Sequence, residues 1–291
     1  MWCVYFILFS LASSINCQNF IEPSNLTPIQ EQAILNRYGS DCKFFKLNSQ
    51  RLFDYLLQNN PDSLSLNLSG ESISFDFNSS KNLAEDILVT ATLQSGEYHS
   101  NLGDVLFKKD GLFNNKHIIN FTCSADRLHL FGEDQNKYYF ISKIDSLDLE
   151  DHFAFYSKIK VQNNDFNSQT LMCGPNVINE TAGSGKRIRL FFDLSYSFFE
   201  KHKNPNETDI LEQIKAVKIE PFYILDWSEF IYYKTFHVVT EITRIHLNTI
   251  PEIRAEADLN ASVQSWYADQ CFDNYDIVVR ALGTFIEGGN A

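Results

Sequence analysis

The sequence has little positive charge and no long apolar run. Its 24 lysines and arginines are outnumbered by 37 aspartates and glutamates, so the formal net charge is −13. This balance disfavours nucleic acid and anionic membrane surfaces as the main partners. An apolar run at residues 4–12 is too short to cross a bilayer, and no other run reaches that length. We therefore expect no membrane-spanning segment beyond a signal peptide.

Common hydrolase motifs are also missing. No Gly-x-Ser-x-Gly elbow marks a nucleophilic serine, and no His-Glu-x-x-His pair marks a helix-borne zinc site. His237 and His246 lie in one predicted strand, on opposite faces because their separation is an odd number of residues. We interpret both as ordinary surface or rim histidines. The sequence predicts no catalytic residue within this chain.

The N-terminus resembles a secretory signal. Small residues follow the apolar run, so residues 1–17 are predicted to be a signal peptide. Seven Asn-x-Ser/Thr sequons are mild further support for the secretory pathway and are candidate glycosylation sites. They begin at Asn25, Asn67, Asn78, Asn120, Asn179, Asn206 and Asn260. We expect a secretory-pathway or extracellular protein.

The hydrophobic period changes within the first half of the chain. Apolar residues recur at three- and four-residue spacings in residues 29–37 and 52–57, which predicts amphipathic helices. Leucines then alternate with polar residues over residues 64–68, as in a half-buried strand. Similar short runs follow, so residues 61–160 are predicted to form a mostly antiparallel β domain.

A different pattern occupies the second half. Residues 162–187 are rich in Asn, Ser and Gly and are the predicted linker. Residues 187–195 and 236–247 indicate strands, whereas residues 209–217 and 275–282 indicate helices. The alternation of strand and helix predicts an α/β part. The fold class of the whole chain is therefore predicted to be α+β.

The cysteines leave two interpretations open. Cys42, Cys123, Cys173 and Cys271 follow the signal peptide, and four cysteines allow three pairings or one bridge with two free thiols. A structural disulfide of Cys173 with any of the other three is favoured by an oxidising compartment. Alternatively, Cys173 next to Gly174 provides a thiolate that fills the fourth position of a tetrahedral zinc.

A dibasic pair follows this cysteine. Lys186 and Arg187 end a Gly- and Ser-rich stretch, which suits proteolytic processing.

The order of these parts resembles the N-terminal portion of an ADAM (reprolysin-type) zinc metalloprotease, especially its tumour-necrosis-factor-α-converting enzyme branch. Segments similar to the family prodomain precede the Cys173-Gly174 pair, and segments similar to the first part of its catalytic domain follow the dibasic pair. The prodomain-like segments are residues 64–77, 137–144 and 155–158. The catalytic-domain-like segments are residues 188–199, 210–227, 237–245, 275–285 and 288–291.

The resemblance implies a fold and a function. Residues 18–187 would be a mostly antiparallel β prodomain with Cys173 as the cysteine-switch thiolate, cleaved at Lys186 and Arg187. Residues 188–291 would be the N-terminal half of an α/β zincin (metzincin) domain whose His-Glu-x-x-His lies beyond Ala291. Zn²⁺ is the cofactor of the complete family enzyme, and we expect this chain alone to bind none and to be inactive.

Partners and location follow from the same resemblance. The family sheds membrane ectodomains, so its partners are protein substrates, and a longer form would be anchored in the cell membrane. The alternative is a non-catalytic secreted glycoprotein, similar to a prodomain, that binds or inhibits a related protease. A third possibility is an unrelated glycoprotein in which Cys173 forms a disulfide.

Overall fold

A computed structural model describes residues 20–22, 24–68, 71–145, 149–160, 186–225, 238–251 and 277–283. The chain divides into two compact units. The first unit comprises Met1–Asn82 and Phe107–Lys160, and the second comprises Leu83–Leu106 and Val161–Ala291. No helix among the described residues is long and apolar enough to span a membrane, in agreement with the sequence-based expectation.

The first unit contains nine strands and two α-helices within the described residues. The helices are α1 (Pro28–Tyr38) and α2 (Ser49–Asn59), as the sequence predicts. The strands are β1 (Ile21–Glu22), β2 (Lys43–Leu47), β3 (Ser63–Leu68), β4 (Glu71–Phe77), β7 (Phe107–Phe113), β8 (Lys116–Cys123), β9 (Leu128–Glu133), β10 (Lys137–Lys143) and β11 (His152–Ile159). Two intervening strands, β5 (Leu88–Leu93) and β6 (Gly96–Asn101), belong to the second unit. They form an antiparallel sheet in the order β1-β2-β11-β10-β9-β8-β7-β4-β3.

The period-two pattern of the sequence explains the core of this unit. Leu64, Leu66 and Leu68 are buried, and the polar residues between them are exposed. Leu64 pairs with Phe75 across the predicted β3–β4 hairpin, and the Phe75 ring lies 5.3 Å from that of Phe121. Because alternate residues share a face, one side of the sheet buries a continuous set of leucine and phenylalanine side chains.

One glycine in this sheet is required by geometry. Gly111 has a φ of +154°, and a Cβ there would lie 2.1 Å from the carbonyl oxygen of Asp76. The residue follows an irregularity in the β7–β8 register. Two strands approach closely at this point, and a side chain would separate them.

The second unit has a different architecture. Its strands are β5 (Leu88–Leu93), β6 (Gly96–Asn101), β12 (Lys186–Leu194), β13 (Val238–Asn248) and β14 (Ile277–Ala281), in the order β14-β12-β13-β5-β6. The first four strands in this order are mutually parallel, and β6 is antiparallel to β5. Helices α3 (Tyr196–His202) and α4 (Ile210–Val217) contribute Phe199 and Val217 to a buried core with Phe192 and Leu247.

The structure corrects the sequence analysis in two places. Residues 275–282 were expected to be helical, but Ile277–Ala281 is a strand, because its β-branched residues pair with β12. Leu83–Leu106 was expected inside the first β domain, but it packs in the second unit. The fold is α+β and mostly antiparallel, as predicted. The identities of the units as prodomain and zincin half stay predictions.

Candidate functional site

A row of polar side chains crosses the second sheet on one face. Asp193 of β12 is the register partner of Arg280 on β14 and of His246 on β13. His246 is in turn the partner of Thr90 on β5. Register partners on neighbouring strands point to the same side of a sheet. We call these four residues the polar row.

An ion pair anchors the row. An Arg280 guanidinium nitrogen contacts Asp193 Oδ2, and the two side chains are only 5% and 1% exposed. Asn248 Nδ2 donates to the other carboxylate oxygen of Asp193 at 3.0 Å and to the carbonyl of Leu194 at 3.0 Å. Both carboxylate oxygens are therefore engaged, as a desolvated charge requires. The ion pair joins β12 to β14, and Asn248 adds β13, so the contacts of Asp193 connect three strands that are far apart in sequence.

His246 occupies the middle of the row. Its Nδ1 lies 2.8 Å from the Thr90 hydroxyl and its Nε2 3.2 Å from the Thr92 hydroxyl. Burial lowers the pKa of His246, an effect that the Asp193 carboxylate opposes and the Arg244 guanidinium reinforces. A neutral imidazole donates from one nitrogen and accepts at the other, so the two hydroxyls match the uncharged ring.

The interpretation of His246 as an ordinary surface or rim histidine is therefore wrong. His246 is only 5% exposed, because β5 pairs with β13 and its Thr90 and Thr92 side chains contact the imidazole ring. His237 lies outside the described residues.

The described residues do not form a zinc cage. Within them, no three or more His, Cys, Asp and Glu side chains are grouped so that they could hold a metal ion. Both nitrogens of His246 already face hydroxyls. No catalytic step through zinc follows from these side chains. Cys173, the proposed switch ligand, lies outside the described residues.

The two described cysteines are free thiols in separate hydrophobic clusters. Cys42 packs with Ile34, Ile144 and Ala154, whereas Cys123 belongs to the phenylalanine-rich core. Burial raises the pKa of Cys42 to about 11 and also raises the pKa of Cys123. Neither thiol therefore has the low pKa of a reactive thiolate.

The dibasic pair begins a strand, whereas the sequence placed it at the end of a linker. Lys186 and Arg187 are the first two residues of β12, where they pair with Val238 and Val239 of β13. The Arg187 side chain is 65% exposed and lies 3.7 Å from Glu241. A processing protease needs an extended, unpaired substrate, so the start of β12 must separate from β13 before the chain is cut here.

The candidate glycosylation sites fall into three groups. Asn25, Asn67, Asn78 and Asn206 are exposed. Asn120 is 8% exposed in β8, so a glycan there has no room in the folded unit. Asn179 and Asn260 lie outside the described residues.

The prediction from the sequence missed the contribution of Leu83–Leu106 to this site. The signal was present, because residues 88–93 are rich in β-branched side chains and end at a short turn before Gly96. It also missed Lys218, whose fully buried ammonium lies 2.5 Å from Asp104 and 2.7 Å from the carbonyl of Asn101. A lysine at the end of a helix carries no sequence signal of burial.

Two comparisons with known proteins found no match. No protein-family model matches the chain. No curated protein matches it either. The family resemblance thus depends on the order of the sequence segments alone.

Proposed function

We propose that this chain is the N-terminal part of a secretory-pathway zinc endopeptidase precursor of the ADAM type. In this proposal residues 18–187 are the prodomain, and the thiolate of Cys173 keeps the peptidase latent. In the same proposal the first unit belongs to the prodomain, and the strands from β12 onward begin the peptidase domain. Membrane ectodomain shedding is the activity proposed for the complete enzyme.

The state of the other cysteines is the observation that carries the proposal. Cys42 and Cys123 are both free and buried, in different clusters. Of the four cysteines that follow the predicted signal peptide, this leaves Cys271 as the disulfide partner that Cys173 could still have. Neither described cysteine is in a disulfide, which disfavours two of the three pairings open to Cys173 and supports a thiol available to a metal.

The order of elements after the dibasic pair gives further support. β12 begins at Lys186, α4 follows at Ile210, and β13 returns parallel to β12. A parallel return through a helix is the α/β arrangement expected for the start of a catalytic domain. β14 adds to the other side of β12, so β12 becomes an inner strand of the sheet.

The role proposed for Cys173 is chemical blocking. Zinc, when bound in the complete enzyme, activates a water molecule for attack on a peptide bond. The Cys173 thiolate would occupy the coordination position that this water needs. Gly174 has no side chain, so the backbone beside the thiolate can approach closely.

An inhibition assay tests this role. The 291-residue chain is added to an active ADAM-type peptidase with a fluorogenic peptide, alongside Cys173→Ala and the matched control Cys42→Ala. We expect Cys173→Ala to weaken inhibition at least about tenfold, equivalent to about 1.4 kcal/mol, and Cys42→Ala to inhibit like the parent. Equal inhibition by all three proteins would remove the thiol from the mechanism.

Peptide mapping without reduction provides an independent check. The proposal expects Cys173 to be alkylated as a free thiol in the folded chain. A bridge between Cys173 and Cys271 would refute the proposed role and favour the unrelated glycoprotein.

A further inference from the structure

The second unit contains a β-hairpin from the earlier part of the chain. We call Leu83–Leu106 the hairpin segment; it includes β5 and β6 and is flanked on both sides by the first unit. β5 lies parallel to β13, with pairing from Leu88 opposite Arg244 to Thr92 opposite Asn248. The hairpin segment therefore completes a sheet whose other described strands all follow residue 185.

Apolar burial fixes the hairpin segment in this sheet. Its buried side chains belong to the same core as those of β12, β13, α3 and α4. Their exposed fractions range from 0 to 4%, and they are Ala84, Ile87, Val89, Ala91, Leu102 and Leu106. Removal of the hairpin segment would expose these side chains and the apolar residues that they cover.

Polar contacts hold the hairpin segment in place near both ends of β5. Lys218, at the end of α4, places its ammonium 2.5 Å from Asp104 and 2.7 Å from the carbonyl of Asn101. At the other end the Thr249 hydroxyl donates to the carbonyl of Thr92. The buried ring of His246 contacts two hydroxyls of β5. These donors and acceptors would lose their partners if the hairpin segment left.

We propose that the edge of β13 is a binding surface for the hairpin segment that persists after processing. Cleavage after Arg187 cuts the covalent link but leaves β5 hydrogen-bonded to β13 and the hairpin segment in the core. The fragment ending at Arg187 and the fragment starting at Ile188 then form a non-covalent complex. The choice of cleavage site rests on the proposed function, whereas the association rests on the pairing and burial described above.

Cleavage of the intact chain tests this proposal. A dibasic-specific endoprotease is used, and mass spectrometry identifies product cut only after Arg187. Lys109 of the other dibasic pair is fully buried in β7, so the folded chain is protected there. We expect both fragments to elute together in size-exclusion chromatography without denaturant and to separate in urea. Separate elution at low micromolar concentration without denaturant would overturn the proposal.

Two adjacent substitutions make the test specific. Val89→Asp puts a carboxylate at a fully buried position of β5, whereas Leu88→Asp puts one at a neighbouring position that is 42% exposed. We expect Val89→Asp to raise the dissociation constant of the cut complex at least about a hundredfold and Leu88→Asp less than about tenfold. Equal dissociation constants for the two variants would contradict a complex held by the hairpin segment.

The outcome is independent of the switch role of Cys173. The association assay contains no zinc and no partner peptidase. We expect the cut Cys173→Ala protein to remain associated like the cut parent. Dissociation caused by Cys173→Ala would mean that the hairpin segment does not hold the fragments together.

Discussion

The Asp193–Arg280 ion pair provides the sharpest test of the second unit. Asp193→Asn keeps the size of the side chain but removes the charge that Arg280 contacts. The two side chains are 1% and 5% exposed, so water cannot replace the lost carboxylate. Breaking a buried ion pair by removing one partner costs about 3–5 kcal/mol. We expect the free energy of unfolding of the second unit to fall by that amount.

A matched control comes from the same sheet. Glu241 of β13 lies 3.7 Å from Arg187, and the side chains are 36% and 65% exposed. An ion pair between solvated side chains contributes about 0–1 kcal/mol, so Glu241→Gln should change stability little. The ratio of folded to opened second unit should therefore fall about 10²–10⁴-fold in Asp193→Asn and less than about tenfold in the control.

Native-state hydrogen exchange in urea measures the two units separately. Peptides from β12 and β13 report the second unit, and peptides from β8 and β9 report the first. We expect Asp193→Asn to lower protection only in β12 and β13. The double variant Asp193→Leu with Arg280→Leu should recover most of the loss, because an apolar pair avoids the cost of an isolated buried charge. A loss no larger than that of Glu241→Gln would refute the reasoning.

Four further predictions address other parts of the chain. Gly111→Ala should destabilise the first unit by about 2–4 kcal/mol in urea unfolding, because its Cβ would clash with a β4 carbonyl. Cys42 and Cys123 should react with a thiol reagent only after denaturation, because burial raises both pKa values. His246 should make the second unit less stable as the pH falls below 6.5, since the unfolded state then binds the proton more readily. Asn120 should carry no glycan in secreted protein, as glycopeptide mapping can establish.

The controls for these predictions are also defined by the structure. Gly39, also in the first unit, has a φ of +105° and no atom within 4 Å of a new Cβ, so Gly39→Ala tests the strained backbone without a clash. Its cost should be smaller than that of Gly111→Ala, and equal costs would argue against the clash. His246→Gln should flatten the pH dependence of second-unit stability. An unchanged pH profile would assign the effect to another group.

Local patterns in the sequence were sufficient for many elements. The spacing of apolar residues predicted α1 and α2, and the alternation of leucines predicted the β3–β4 hairpin. The strand character of β12 and β13 was likewise visible from their own residues. These predictions succeed because the period of burial within one element depends on its own geometry.

The candidate site was only partly accessible to the same reasoning. Its residues come from four strands, and the contact between Thr90 and His246 spans 156 positions of the chain. No periodicity within one segment encodes a partner at that distance. The prediction of a surface histidine at 246 and of a helix over residues 275–282 failed for this reason, because neighbouring strands decide both burial and strand pairing.

By itself, the sequence determined the α+β character, the alternating core of the first sheet, the acidic charge and the absence of a His-Glu-x-x-His motif within residues 1–291. Only the tertiary structure decided that Leu83–Leu106 belongs to the second unit, where β5 pairs with β13. It also decided that Asp193, Arg280 and His246 lie side by side on neighbouring strands. The physical reason is that these contacts join segments far apart in the sequence, such as Thr90 and His246 at a separation of 156 positions, and no local pattern of residues specifies such a partner.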